Sequence, residues 1–269
     1  MTNQERQPVE FDSSVPHPAR IYDYLLGGKD NYPADQAAAE HGLAAAPAVR
    51  DTARANRAFL VRAVRFLAEQ GIRQFIDIGT GIPTSPNVHE IVQALLPDAR
   101  VVYVDNDPLV LSHARALLRS YPPGESRFIQ ADLRQPEAIF ADPNLVELID
   151  FSQPVAILLI AILHHIPDAG DPAGIVARLL APAASGSYLV LSQFGRDFDV
   201  ERSMALSAAA ERDGVTLVPR WRDTILGFFG GLDLVEPGLV PVVMWRPDGE
   251  VSAEERARVW VYGGVARKP

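Results

Sequence analysis

From residue 71 onward the chain alternates short apolar runs with amphipathic stretches. Apolar runs at 74–78, 101–105, 127–130, 154–160, 187–193, 239–245 and 259–265 read as strands. Helical spacing fills the intervals near 87–96, 108–120, 135–149, 172–181, 199–212 and 221–229. This alternation implies a mainly parallel sheet covered on both faces, with right-handed helical crossovers between its first five strands. A short polar segment around Pro247, Asp248 and Gly249 separates the last two strands, which suits an antiparallel pair at a sheet edge.

The first 70 residues read differently. Residues 1–17 are polar and contain proline, so they are expected to be loose. A short helical stretch follows from Pro18 and breaks at Gly27 and Gly28; after a polar loop, an alanine-rich helix starts near Pro33. Across 50–70, Ala53, Leu60, Ala63, Val64 and Leu67 share an apolar helical face, and Arg50, Arg54 and Arg57 form a second stripe. The expected division is an N-terminal helical extension, 1–70, and a sheet domain, 71–269.

The first strand carries the chemistry. It runs through Asp77 into Gly79, Thr80 and Gly81, and the second strand ends in Asp105. Glycine lets backbone approach a ligand that a Cβ would repel, and a carboxylate at the next strand tip accepts both hydroxyls of a ribose. The pattern predicts an adenosine-containing cofactor. Bulk properties narrow the partners. A net charge of −9 and a pI near 5.2 argue against nucleic acid. Absence of cysteine removes thiolate catalysis and disulfides. The longest apolar run, 155–163, is too short for a bilayer and the N-terminus has no signal core, so a cytoplasmic protein without membrane contact is expected.

Further landmarks follow the next strands: Ala131, Asp132 and Leu133 after the third, and Leu163, His164 and His165 after the fourth. With Asp77-Ile78-Gly79-Thr80-Gly81 and Asp105, this set resembles the class I S-adenosylmethionine-dependent methyltransferases. The N-terminal run Pro18-Ala19-Arg20-Ile21-Tyr22-Asp23-Tyr24-Leu25-Leu26-Gly27-Gly28-Lys29-Asp30-Asn31-Tyr32-Pro33-Ala34-Asp35 and the run Arg54-Ala55-Asn56-Arg57-Ala58-Phe59-Leu60 narrow it. So does Asp77-Ile78-Gly79-Thr80-Gly81-Ile82-Pro83-Thr84. Together they resemble an actinobacterial group of S-adenosyl methyltransferases with unassigned substrate, nearly end to end.

The resemblance implies a Rossmann-like α/β fold: a seven-stranded, mainly parallel sheet with the last strand antiparallel, plus the helical extension. It implies S-adenosyl-L-methionine as cofactor. Gly79, Thr80 and Gly81 would pass under its methionine part, and Asp77 would meet its amine, directly or through water. Asp105 would take the ribose with Asn106 near the adenine, and Asp132 and the Leu133 backbone would read the adenine edge. Ala161 and Ile162 would lie below the transferred methyl. One departure is Pro83 at the third glycine of the usual motif, which predicts a stiffer turn and a late helix start.

Other candidates come from the residues themselves. Asp23, Lys29, Asp30, Asn31 and Asp35 cluster with Tyr22, Tyr24 and Tyr32 around the Gly27-Gly28 break, and a polar, aromatic loop between apolar helices suits a lid over the methionine end as well as a solvated loop. Arg54 and Arg57 could pair with a carboxylate or form a solvated helix face; the resemblance favours a functional role, with Arg57 committed to the cofactor. His164 and His165 are candidate general bases, with one of the two expected to face the pocket and the other to pack. Adjacent histidines with no third ligand at helical spacing give no metal site. Trp221, Phe228, Phe229 and Trp245 could wall a substrate pocket or pack the core. The expected partner is a small-molecule methyl acceptor, and apolar surface on the edge strands would serve a homodimer. Two rivals remain: an NAD-dependent oxidoreductase, disfavoured by the glycine spacing, and a non-catalytic S-adenosylmethionine-binding sensor.

Overall fold

The computed structural model describes residues 12–117 and 122–269. Most of the segment expected to be loose, and the end of the helix expected to reach 120, lie outside the described residues. The chain begins with α1 (Pro18–Leu26), α2 (Pro33–Ala45) and α3 (Val49–Glu69). Five strands follow, β1 (Gln74–Ile78), β2 (Arg100–Asp105), β3 (Glu125–Gln130), β4 (Ala156–Ile160) and β5 (Tyr188–Phe194). Between them lie α4 (Val88–Leu95), α5 (Pro108–Leu117), α6 (Pro136–Ala141), α7 (Pro143–Leu148) and α8 (Pro172–Leu180). The C-terminal part adds α9 (Val200–Arg212), α10 (Arg222–Gly227), β6 (Asp233–Leu234), β7 (Val240–Pro241), α11 (Ala253–Ala257) and β8 (Val261–Arg267).

The sheet has eight strands in the order β3-β2-β1-β4-β5-β8-β6, with β7 also on β8. The first five are parallel and β8 is antiparallel to β5. Parallel strands buried on both faces need apolar side chains throughout, and every residue of β1 is buried. Period-two geometry sends alternate residues to separate cores. Ile76, Val102, Ile157 and Leu189 join one cluster; Phe75, Val101, Leu158 and Val190 join the other, which α3 covers with Leu60, Ala63, Val64 and Leu67. Strand order reverses between β1 and β4, and in such sheets the crevice outside the carboxyl ends at that point receives the ligand.

Three expectations need correction. The strand expected at 239–245 is only Val240–Pro241, followed by a 3-10 turn, Val242–Met244. Pro241 has no N–H to continue a ladder, and Trp245 is wholly buried edge-on against Phe59 and Phe66, at 5.5 and 5.7 Å between ring centres. The helix expected at 135–149 is two helices, because Pro143 cannot continue a helix and Asp142 caps the second, accepting from the Asn144 N–H at 2.8 Å. The last two expected strands do pair antiparallel, Val240 opposite Gly263, but β8 lies inside the sheet between β5 and β6 rather than at its edge. The late helix start after Pro83 is present: α4 begins at Val88, capped by Asn87.

Candidate functional site

A continuous cavity of about 450 Å³ opens at the carboxyl ends of β1 to β4 and extends beneath the N-terminal helices. Its floor is the glycine turn. Gly79 and Gly81 have φ of +72° and +67°, conformations that side chains strongly disfavour. A Cβ on Gly79 would also lie 2.6 Å from Ile162 Cδ1, so β4's exit packs directly on the turn. At Gly81 a Cβ meets nothing nearer than Ala19 Cβ at 4.0 Å, so backbone conformation alone demands glycine there. The turn folds back onto β2: the N–H of Gly79 donates to the Val104 carbonyl at 2.8 Å.

Asp105 ties the two strand tips together. One carboxylate oxygen accepts from the Gly81 N–H at 2.8 Å, the other from the Asp107 N–H at 3.0 Å. Burial raises its pKa, and the two N–H donors oppose that rise. Asp77 is 5% exposed and accepts from the Thr80 hydroxyl at 3.0 Å. Burial, opposed by Thr80 and by Arg57, pushes its pKa up to about 6. A buried carboxylate in a cavity wall is a natural seat for a cationic group, which would offset the cost of keeping it ionised. Asp132 differs: Arg134 donates to both its oxygens and holds its pKa down. Asn106, Leu133 and Ala161 complete this half of the wall. Ala161 adopts φ +54°, an uncommon backbone for alanine, with its N–H donating to Ser192 Oγ at 2.9 Å.

The N-terminal helices form the roof. Tyr22 lines the cavity; its hydroxyl donates to the Ala53 carbonyl and accepts from Asn56 Nδ2, both at 3.0 Å, locking α1 to α3. Arg57 lines it too, and its guanidinium donates to the carbonyls of Thr84 and Pro86. Arg54 is exposed, outside the wall. Lys29 and Asn31 also lie outside it. Lys29 is exposed, and Asn31 donates to Asp23 Oδ2 at 2.8 Å, the same oxygen that accepts from the Asp30 N–H at 2.9 Å. That loop therefore folds onto Asp23, with the polar cluster satisfied within itself. Sequence reading missed His17, which lines the cavity and sits 3.2 Å from Asp107. Asp35, expected in the polar cluster around the glycine break, is instead fully buried; its carboxylate accepts from the N–H groups of His17 and Tyr32 and lies 3.5 Å from Arg20. This ion network clamps the roof onto the loop after Asp105. The one legible hint was His17 before Pro18, a helix-start signature: its imidazole accepts from the Ala19 N–H at 3.3 Å.

Both histidines line the cavity, with ring centres 4.4 Å apart. The expectation that only one faces the pocket fails because Leu163–His165 is a 3-10 turn, not a strand end, so strand alternation does not apply. His165 donates through Nδ1 to the Thr216 carbonyl at 2.6 Å, which leaves the lone pair on Nε2. Burial pushes its pKa down to about 4. Burial and the neighbouring His165 push His164 well below the usual histidine range. Both are therefore neutral at physiological pH. No group of metal-binding side chains forms among the described residues, and no helix among them is long and apolar enough to cross a membrane. Of the four aromatics, Phe228, Phe229 and Trp245 pack the core, while Trp221 is 47% exposed beneath Arg196; all four lie outside the cavity wall.

With this geometry in view, the comparisons with known proteins agree. The family described as S-adenosyl methyltransferase matches residues 4–269. The chain is similar to a DUF574-family protein from Streptomyces avermitilis, with 45% identity, 96% of this chain and 99% of that chain covered, and a TM-score of 0.91. A proposed methyltransferase from Thermobifida fusca shares 41% identity over 96% of each chain, with a TM-score of 0.88. Human N-acetylserotonin methyltransferase, solved with S-adenosylmethionine, shares the fold at 13% identity, covering 95% of this chain and 63% of that chain at a TM-score of 0.50. No curated protein matches the sequence.

Proposed function

The chain belongs to the S-adenosyl methyltransferase family, whose cofactor is S-adenosylmethionine, and from that premise we propose how its residues divide the work of methyl transfer. The buried Asp77 carboxylate in the cavity wall beside the glycine turn carries the reading. It takes the cofactor's ammonium, whose positive charge offsets the cost of burying the ionised carboxylate. Gly79, Thr80 and Gly81 lie under the methionine part. Asp105 has a lone pair to spare on each oxygen and accepts the ribose hydroxyls. Asn106, Asp132 and the Leu133 backbone take the adenine. Arg57 holds the loop after the turn through the Thr84 and Pro86 carbonyls, and so acts as a positioning residue. Helices α1 and α2 form the lid, with Tyr22 in contact with the methionine end and the loop carrying Lys29 and Asn31 as its outer edge.

The cofactor supplies an activated methyl group when bound. The protein's own task is alignment, water exclusion and removal of the acceptor's proton. His165 is oriented for that last task, with Nδ1–H fixed on Thr216 and Nε2 free to accept; His164 stands beside it. The acceptor is a small molecule, because helices α1 and α2 roof a cavity of about 450 Å³. The protein works in the cytoplasm.

Calorimetric titration with S-adenosylmethionine, S-adenosylhomocysteine and NAD tests the reading. Micromolar binding of the first two and none of NAD is expected, as is its loss in Asp105→Ala. NAD binding alone would overturn it.

A further inference from the structure

The cavity continues past the strand tips. Beyond His164 it runs under α1 and α2, between α3 and α9, against the ends of β5 and β8. Here its wall is apolar, with Leu25, Ala39, Leu60, Phe194, Leu206 and Leu217 drawn from six separate segments. Gly42 brings α2 hard against α9: a Cβ on it would lie 3.3 Å from Leu206 Cδ1. Three polar atoms of the cavity wall are buried with no hydrogen-bond partner among the described residues: Asn56 Oδ1, His164 Nδ1 and Arg57 Nε, the last on a guanidinium that donates to the Thr84 and Pro86 carbonyls after the glycine turn. Asn56 is 1% exposed and His164 is 7% exposed. Folded proteins leave few such atoms unpaired, so Asn56 Oδ1 marks the place of a missing donor and His164 Nδ1 that of a missing partner.

The remaining polar groups are engaged. Thr52 Oγ1 donates to the Arg258 carbonyl at 3.3 Å and accepts from the Trp260 N–H at 3.2 Å. The charged member, Asp213, pairs at 3.0 Å with His41 on α2. Tyr22 is held by Ala53 and Asn56, as described above.

Resting on the methyl-transfer reading, we infer that this half of the cavity is the acceptor subsite. It takes a neutral, mainly apolar small molecule with a phenolic or enolic hydroxyl, which is methylated on oxygen. The charge follows from this half of the wall: its carboxylate, Asp213, is paired with His41, and the Arg57 guanidinium is turned to the Thr84 and Pro86 carbonyls after the glycine turn, so a buried ion is poorly served here. The hydroxyl follows from the unpaired atoms. Asn56 Oδ1 can only accept, and His164 Nδ1 accepts when its proton sits on Nε2. The acidity follows from the imidazoles, which burial keeps neutral and weakly basic. A weak base is better matched to a phenol or enol than to an aliphatic alcohol. The acceptor oxygen forms the bond to the transferred methyl carbon. The carbon–sulfur bond breaks with its electron pair going to sulfur, which turns the sulfonium into a thioether. The hydroxyl proton passes to an imidazole nitrogen and then to water.

The test is calorimetric titration of the full chain, saturated with S-adenosylhomocysteine, with probes of one ring system: 2-naphthol, 2-naphthoate and 2-naphthylmethylammonium. 2-Naphthol is expected to bind at one site, with the two charged probes weaker by about ten-fold or more. Ala39→Leu fills the chamber from α2 and Leu217→Trp fills it from the facing loop; each is expected to weaken 2-naphthol by about ten-fold or more while cofactor-product affinity stays. With S-adenosylmethionine supplied instead, 2-naphthol yields its methyl ether. Failure of 2-naphthol to bind, equal or tighter binding of a charged probe, or unchanged 2-naphthol affinity in both filled variants overturns the inference. Failure of S-adenosylhomocysteine to bind overturns the methyl-transfer reading instead. The naphthol series and the filled variants, run without cofactor, then judge the chamber on its own.

Discussion

At the strand tips, the polar atoms come from residues at or just past a strand end: Asp77, Gly81, Asp105 and Asp132. Beneath the N-terminal helices, the wall comes from segments as far apart as Leu25 and Val261, and its side chains are mostly apolar. On the proposed reading, the first half recognises by fixed backbone and carboxylates, the second by shape. A carboxylate such as Asp105 does two jobs at once, since it shapes the glycine turn and offers lone pairs to a ligand. The chamber has no such economy. Its small residues Ala38 and Ala39 make room, and Gly42 lets α2 approach α9 closely. The two halves should therefore fail separately.

Asp105→Ala gives the largest separation. It removes two charge-assisted acceptors and frees the Gly81 and Asp107 N–H groups, so S-adenosylhomocysteine affinity should fall by about 3 to 6 kcal/mol, read by calorimetry. Affinity for 2-naphthol should not move. A parallel loss of both would mean that the halves fold as one unit.

His164→Ala and His165→Ala should each reduce methyl transfer by roughly 10² to 10⁴-fold and leave cofactor binding intact. At saturating cofactor, the acid limb of kcat should lie near the depressed His165 pKa of about 4, not near 6.5. An acid limb at 6.5 would place the base elsewhere.

Asp77 should show a conflict between stability and binding. In the ligand-free protein its pKa of about 6 stands above the unfolded value of 3.8. The folded state then holds the extra proton between those values, so this stabilising contribution is present at pH 4 and is lost as pH rises through 6. D77N should therefore raise ligand-free stability at pH 7.5, by at most about 3 kcal/mol in denaturant unfolding. The same variant should weaken S-adenosylhomocysteine, whose affinity for the natural protein should rise as pH climbs through 6. A destabilised D77N protein would contradict the cost assigned to this carboxylate.

The smallest effect belongs to the clasp between His41 and Asp213, which joins α2 to the end of α9 at the surface. An exposed pair of this kind contributes under about 1 kcal/mol. His41→Ala should leave the melting temperature nearly unchanged and alter only the Michaelis constant for the acceptor. A large loss of kcat would show that the clasp shapes the catalytic half.

The cofactor half was legible because its determinants are local. A buried strand, a glycine turn with φ values that only glycine adopts readily, and a carboxylate at the next strand tip lie in register along the chain. Strand–helix alternation fixed the parallel sheet in the same way, since backbone periodicity depends on near neighbours. Some failures were local, such as the split of the 135–149 helix at Pro143, and others depended on packing that no short stretch records. Trp245 breaks an expected strand because Phe59 and Phe66 surround it. The Lys29–Asn31 loop turned away from the cavity because Asp23 accepts its donors. His164 and His165 share one wall because the chain leaves β4 in a 3-10 turn. His17, Asn56 and Asp35 carry no local signal of their joint role.

By itself, then, the sequence determined the sheet, the turn and the carboxylates, because each is set within a few residues by hydrogen-bond geometry and side-chain alternation. Only the tertiary structure decided the roof, the chamber and the pairing of the histidines. These arise where α1, α2, α3 and α9 meet over the sheet, and a cavity is defined by the distance between such elements, which no local pattern encodes.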